Sequence, residues 1–191
     1  MAEQIEHYTK ERWNNWIARA RESSFSLADP KNAPDTTIFV NMEEDVVLAC
    51  LKIANKFEKG KLSAEEALDA IKQIETITLA RVEPISEDID MMIQSIQSSL
   101  VGVFGSCQCY VEGKYESGPI GDLIERAVEA EKRGDEKTAL GLISQAGAKI
   151  LAGQPFEFNR ELSPGCVAEW IDGLDSINAA MVGDDSYKED E

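Results

Sequence analysis

A break of a few residues, Gly60 to Leu62, separates two stretches whose apolar residues recur at helical spacing. Val46, Val47, Cys50, Leu51, Ile53, Ala54 and Phe57 lie on one side; Leu68, Ile71, Ile74 and Thr78 lie on the other. Immediately after the break, Ser63 and Glu66 form a Ser-x-x-Glu capping box. In such a box the hydroxyl and the carboxylate satisfy each other's free backbone donors, so the second helix starts at once. Two helices joined by so short a turn fold back as an antiparallel hairpin. The apolar stripe from Val46 to Phe57 is also too wide for one partner, and it predicts neighbours on two sides.

The rest of the chain reads mostly the same way. Thr9 caps a first helix to about Arg21, with Trp13, Trp16, Ile17 and Ala20 at helical spacing. After Pro30 and Pro34, the β-branched and aromatic stretch Thr36 to Val40 reads as a short strand. Asn41 then offers a cap for a helix from about Met42 to Lys59, with Glu43, Glu44 and Asp45 in the first turn, where a helix dipole favours acids. Ser86 opens a central helix in which Ile89, Met92, Ile93, Ile96, Leu100 and Phe104 keep register. Gly102 and Gly105 read as its end, and Ser106 to Val111 as extended chain able to pair with Thr36 to Val40 in one small two-stranded β element.

A second helical hairpin follows, Pro119 to Arg133 and Asp135 to Leu151, divided at Gly134. Its turn, Ala130 to Leu140, resembles the inter-helix turn of a tetratricopeptide repeat. The two hairpins share no fixed period, however, which favours an irregular bundle over a solenoid. Ser163 and Pro164 open the last helix, with Val167, Trp170, Ile171, Leu174, Ile177 and Met181 in a narrow stripe. The expected fold is therefore mainly α: an irregular bundle of about six to seven helices built from hairpins. Residues 1–183 form one domain, with 1–33 as an arm that can attach loosely, and 184–191 form an acidic, disordered tail.

Charge narrows the functions. Thirty-six acids against nineteen bases give a net charge of -17. That argues against direct nucleic-acid binding, which rests on basic side chains neutralising phosphates, and against anionic membrane surfaces. A single histidine, His7, removes most triads and multi-histidine metal sites. There is no Walker-type loop, dinucleotide fingerprint or Gly-x-Ser-x-Gly elbow. The negative charge is also unevenly spread. Residues 163–191 carry eight acids and one base, whereas 1–33 carry five of each.

The candidate sites follow from these exclusions. Cys107 and Cys109, one residue apart in extended chain beside glycine, suit a soft metal or a redox pair, and Cys50 and Cys166 bring the thiols to four. Cys166, as the third residue of its helix, meets the positive end of the dipole, which would lower its pKa. Candidate partner contacts are Trp13, Trp16, Trp170, Asp172 and Asp175.

Two stretches, Tyr8-Thr9-Lys10-Glu11-Arg12-Trp13-Asn14-Asn15-Trp16 and Asn41 to Cys50, resemble an uncharacterised protein family of methanogenic archaea known only as a domain of unknown function. The resemblance implies an archaeal cytoplasm with reduced thiols and supplies no functional residues. The chain is thus expected to be cytoplasmic, without a cofactor and leaning away from catalysis. The first expectation is a helical interaction or adaptor protein with an acidic face, a basic protein partner and a capacity to homodimerise. The alternative is a thiol-based metal or redox module centred on Cys107 and Cys109.

Overall fold

The computed structural model describes residues 7–27, 35–158, 160–183 and 186–188. Among these are seven α-helices: α1 (Lys10–Glu22), α2 (Thr37–Glu58), α3 (Ala64–Thr78), α4 (Glu87–Glu112), α5 (Ile120–Lys132), α6 (Glu136–Leu151) and α7 (Cys166–Gly183). A short 3-10 turn, Ser186–Lys188, follows α7. The loop holding Pro30 and Pro34, and tail residues 184, 185 and 189–191, lie outside the described residues. No helix among those described is long and apolar enough to cross a membrane.

Both predicted helical hairpins form. Ser63 Oγ accepts from the Glu66 amide at 3.2 Å while Glu66 Oε2 accepts from the Ser63 amide at 2.8 Å. Asp135 Oδ1 caps α6 through the Thr138 amide at 3.1 Å. The long α4 runs through the middle, packed on α2, α3, α6 and α7, and α1 lies against α2 and α3.

The β element is corrected to helix. No strand occurs among the described residues; Thr36 to Val40 opens α2, and Ser106 to Val111 lies inside α4. Intrinsic helix preferences of β-branched residues differ from alanine by less than about 0.7 kcal/mol. Burial outweighs that here, because Phe39 and Met42, 1% and 0% exposed, extend the α2 stripe toward its N-terminus. Asn41 is accordingly not a cap, and Glu43, Glu44 and Asp45 sit in the helix body rather than its first turn.

Gly102 and Gly105 are likewise not helix ends. They mark where other helices come closest to α4. A Cβ at Gly102 would lie 2.8 Å from the Trp170 carbonyl oxygen, and one at Gly105 would lie 2.3 Å from Ser144 Oγ. The reverse contact comes from α6, where a Cβ at Gly147 would meet Ser106 Oγ at 1.9 Å. The serines in this seam bond their own helices, Ser106 Oγ to the Gly102 carbonyl at 2.6 Å and Ser144 Oγ to that of Leu140 at 2.8 Å. Glycine and satisfied serine thus let α6 and α7 press directly on α4. The helix ends later, at Gly113, whose φ of 65° is left-handed.

The N-terminal arm is fastened at its far end by Asp88 of α4, whose Oδ2 accepts from Ser26 Oγ at 3.0 Å and the Leu27 amide at 2.9 Å, and along α1 by a carboxylate of α2. Asp45 Oδ2 accepts from Arg12 Nε at 2.9 Å, Trp16 Nε1 at 2.8 Å and Tyr8 OH at 3.1 Å, and Asp45 Oδ1 accepts from Arg12 Nη2. Arg19 stacks over the Trp16 ring 4.5 Å from its centroid. The C-terminal turn is tied back as well, with Asn55 Nδ2 on the Tyr187 carbonyl at 3.2 Å and Lys59 Nζ on that of Lys188 at 2.7 Å.

Helix α7 begins two residues later than the Ser163–Pro164 cap predicts, so Cys166 is its first residue and not its third. Glu131 of α5 takes over the capping, since its Oε1 accepts the Val167 amide at 2.9 Å. A tertiary carboxylate thereby does what a local hydroxyl was expected to do.

Candidate functional site

The acids of α7 and α2 come together where these helices cross α4. Glu43, in the second turn of α2, accepts hydrogen bonds from Ser99 of α4 and from Ser176 of α7, the latter at 3.2 Å. Two turns back along α7, Glu169 accepts from Ser98, the neighbour of Ser99. Asp172 and Asp175 lie on the solvent side of the same seat. The α7 sequence, Cys166 to Gly183, contains no lysine or arginine.

Electrostatics sets the acids of this group against one another. Burial raises the pKa of Glu43, and nearby Asp172 adds to the rise against the opposing hydroxyls of Ser99 and Ser176. Burial and then Glu169 raise Asp172; burial and then Asp172 raise Asp175. Each carboxylate therefore stands in the repulsive field of another. Among the described residues, no three His, Cys, Asp or Glu side chains are arranged to hold a metal ion.

This arrangement fixes the sign of a pH effect. Acids whose folded pKa values are raised make the folded chain take up more protons than the unfolded one. Their ionisation opposes folding, and that opposition fades as pH falls through the raised values toward the ordinary carboxylate range of about 4. Glu66 and Asp135, held low by their capping bonds, act in the opposite sense, below that range. His7, its pKa lowered by burial and then by Lys56, acts in the opposite sense over pH 7 to about 5. The quantity that isolates the acids is therefore the wild-type urea midpoint minus that of Asp172→Asn/Asp175→Asn, which should rise between pH 7 and about pH 5. A difference that falls over this interval would show that Asp172 and Asp175 are not held above their ordinary values.

The predicted tryptophans are placed differently from the acids. Trp13 and Trp170 are core residues, 2% and 6% exposed. Trp16 is half-buried, its indole N–H on Asp45 and its ring under Arg19. Of the five candidate partner contacts, the structure groups only Asp172 and Asp175 on one outer face. Glu43 and Glu169 join them, together with Ser98, Ser99 and Ser176. The available sequence signal was the pair Ser98-Ser99 interrupting an apolar helical stripe. Hydroxyls at such positions face either their own backbone or a polar partner on another helix.

The thiols are dispersed. In a helix, residues two apart point about 200° from one another, so Cys107 and Cys109 face different surroundings. Cys107 meets Cys50 in the core, both fully buried. Cys109 Sγ donates to the Lys114 carbonyl at 3.0 Å, and burial, reinforced by Glu112, pushes its pKa up to about 11. The contact with Cys107, and then burial, raises the pKa of Cys50. Cys166 is corrected in sign: burial, then Glu136, Glu131 and Glu169, raise its pKa despite the helix terminus. Burial and three acids around one thiol outweigh the roughly half-unit charge of a dipole. In native protein, Cys50, Cys107 and Cys109 should resist a thiol-exchange reagent, and Cys166 should react more slowly than in urea. Faster labelling of Cys166 in the native state would contradict this.

No curated protein and no solved structure matches the chain. A family model described as an uncharacterized protein conserved in archaea (DUF2150) matches residues 6–190. That description names archaea at large and not methanogens alone. With nearly its whole length covered, the chain belongs to this archaeal family.

Proposed function

We propose that this protein is a non-catalytic docking module of the cytoplasm, which holds a basic segment of a partner protein against the outer face of α7. One observation carries the reading: Glu169, Asp172 and Asp175 stand on a helix with no basic residue and meet Glu43 of α2 in a seat where a neighbouring acid, after burial, helps raise the pKa of Glu43, of Asp172 and of Asp175. A side chain kept only for stability would be expected next to a cation. Arg12 with Asp45, Lys72 with Glu75 and Arg126 with Glu116 are so arranged elsewhere on the molecule. A partner's lysines or arginines would relieve the repulsion, and the net charge of -17 would speed their approach at low salt.

The test is a pull-down from native cell extract with wild-type protein and with Glu169→Gln/Asp172→Asn/Asp175→Asn. Wild-type protein should retain a basic protein that elutes as salt rises, because screening shortens the reach of surface charge to about 8 Å at physiological ionic strength. The folded triple variant should not retain it. Equal capture by both proteins, or capture insensitive to salt, would remove the α7 face from the account.

A further inference from the structure

Far from the acid seat along α7, a cavity of about 440 Å³ opens where the last turns of four helices meet. Glu58 of α2, Tyr110 of α4, Leu151 of α6 and Met181 of α7 all line it. Each helix C-terminus carries a partial negative charge from carbonyls without intrahelical partners, so four such ends create a field that favours a cation. The walls suit the same occupant. Tyr110, Tyr115 and Tyr187 are three of the chain's four tyrosines, and aromatic rings attract cations through their quadrupoles. Glu58 adds a full negative charge, and it stands close enough to Tyr110 to raise that phenol's pKa, after burial and ahead of Tyr115.

The chain itself places an ammonium at this wall. Lys188 Nζ lies 5.3 Å from the centroid of the Tyr187 ring, on a turn tied to α2 by Asn55 and Lys59. No three His, Cys, Asp or Glu side chains among the described residues are grouped to hold a metal ion. An organic cation needs rings and a counter-charge; Tyr110, Tyr115 and Glu58 supply them, and the ligand gains Tyr187 by displacing Lys188, which lines the same cavity over that ring.

We propose that this cavity is a binding site for a small methylated or quaternary ammonium ion, held among Tyr110, Tyr115 and Tyr187 with Glu58 as its counter-charge. The site lies apart from the α7 acid seat, so either proposal stands or falls without the other.

The full-length protein is titrated with choline and with 3,3-dimethylbutan-1-ol, its uncharged counterpart of the same shape, in excess sodium chloride to screen the general surface charge. Calorimetry reads the affinity, and amide shifts near Tyr115 and Met181 read the location. Choline should bind at this cavity at least about tenfold more tightly than the alcohol, a ratio equivalent to about 1.4 kcal/mol. Glu58→Gln and Tyr115→Ala, neither in the packed core, should each weaken choline at least about fivefold while leaving the melting temperature unchanged. The proposal is overturned by equal affinity for choline and the alcohol, by no choline binding at tens of millimolar, or by wild-type affinity in both variants.

Discussion

Gly173→Ala should destabilise the protein by about 2 to 3 kcal/mol and lower its melting temperature by about 5 to 10 °C. A Cβ at this position would stand 2.4 Å from the Ser99 carbonyl oxygen and 3.1 Å from Val103 Cγ2. The nearer obstacle is the backbone of α4, which cannot rotate aside as a side chain can. Relief therefore requires α7 to move off α4, and Trp170, Leu174 and Ile177 would lose contact with the core as it does. Helix propensity alone predicts the opposite sign, since alanine is favoured over glycine by about 1 kcal/mol inside a helix. Gly141 provides the control. It lies within α6 with nothing inside 4 Å of its missing Cβ, so Gly141→Ala should be neutral or stabilising by up to about 1 kcal/mol. Paired urea unfolding curves that move in opposite directions would establish that α4 and α7 are in direct backbone contact. A Gly173→Ala midpoint at or above wild type would refute it.

Asp45→Ala should cost about 3 kcal/mol and free α1 while α2 to α7 stay assembled. The substitution removes the shared acceptor of Tyr8, Arg12 and Trp16. Tyr8 is 2% exposed, so its hydroxyl would be left inside the protein without that partner. An uncompensated buried polar group costs about 1 to 3 kcal/mol, and loss of the charged bond to Arg12 adds to it. Helix α1 rests on α2 and α3, away from the α4, α6 and α7 seam. Its departure should shift tryptophan emission to the red, through Trp13 and Trp16, without removing most of the helical circular dichroism. Unchanged emission and stability would show that the apolar contacts of Trp13 and Ile17 hold α1 without the carboxylate.

The sequence revealed elements more readily than their meetings. The Ser63 and Glu66 capping box, the short break after Gly60 and the spacing from Ile89 to Phe104 are local, and each predicted a helix or hairpin that forms. The errors arose where a distant partner decides. Thr36 to Val40 looks like a strand by residue type, yet Phe39 joins a buried face that the adjacent sequence did not announce. Gly102 and Gly105 look like a helix terminus because glycine weakens a helix in isolation. Their use is to admit Trp170 and Ser144, and this becomes visible only once α6 and α7 are placed.

The candidate site was legible in part for the same reason. Asp172 and Asp175 could be singled out from the acidic balance of the last helix. Glu43 could not, because its hydroxyl partners lie 56 and 133 residues away. Its place beside Asn41 even suggested a helix-dipole role, until α2 proved to begin earlier. The cysteines misled through spacing: Cys-x-Cys is a chelating pattern only in extended chain, and in α4 the nearest thiol to Cys107 is Cys50 of another helix.

On the proposed docking role, the acids of α7 are kept at a cost to folding, as a docking face requires and a structural ion network does not. The most direct measurement is the urea unfolding midpoint of Asp172→Asn/Asp175→Asn at neutral pH and low salt. Asp172 is raised by burial and then Glu169, and Asp175 by burial and then Asp172, so replacing both should increase the midpoint above wild type, and the gain should shrink as salt rises. A midpoint below wild type would mean that these carboxylates stabilise the bundle, and would contradict the account.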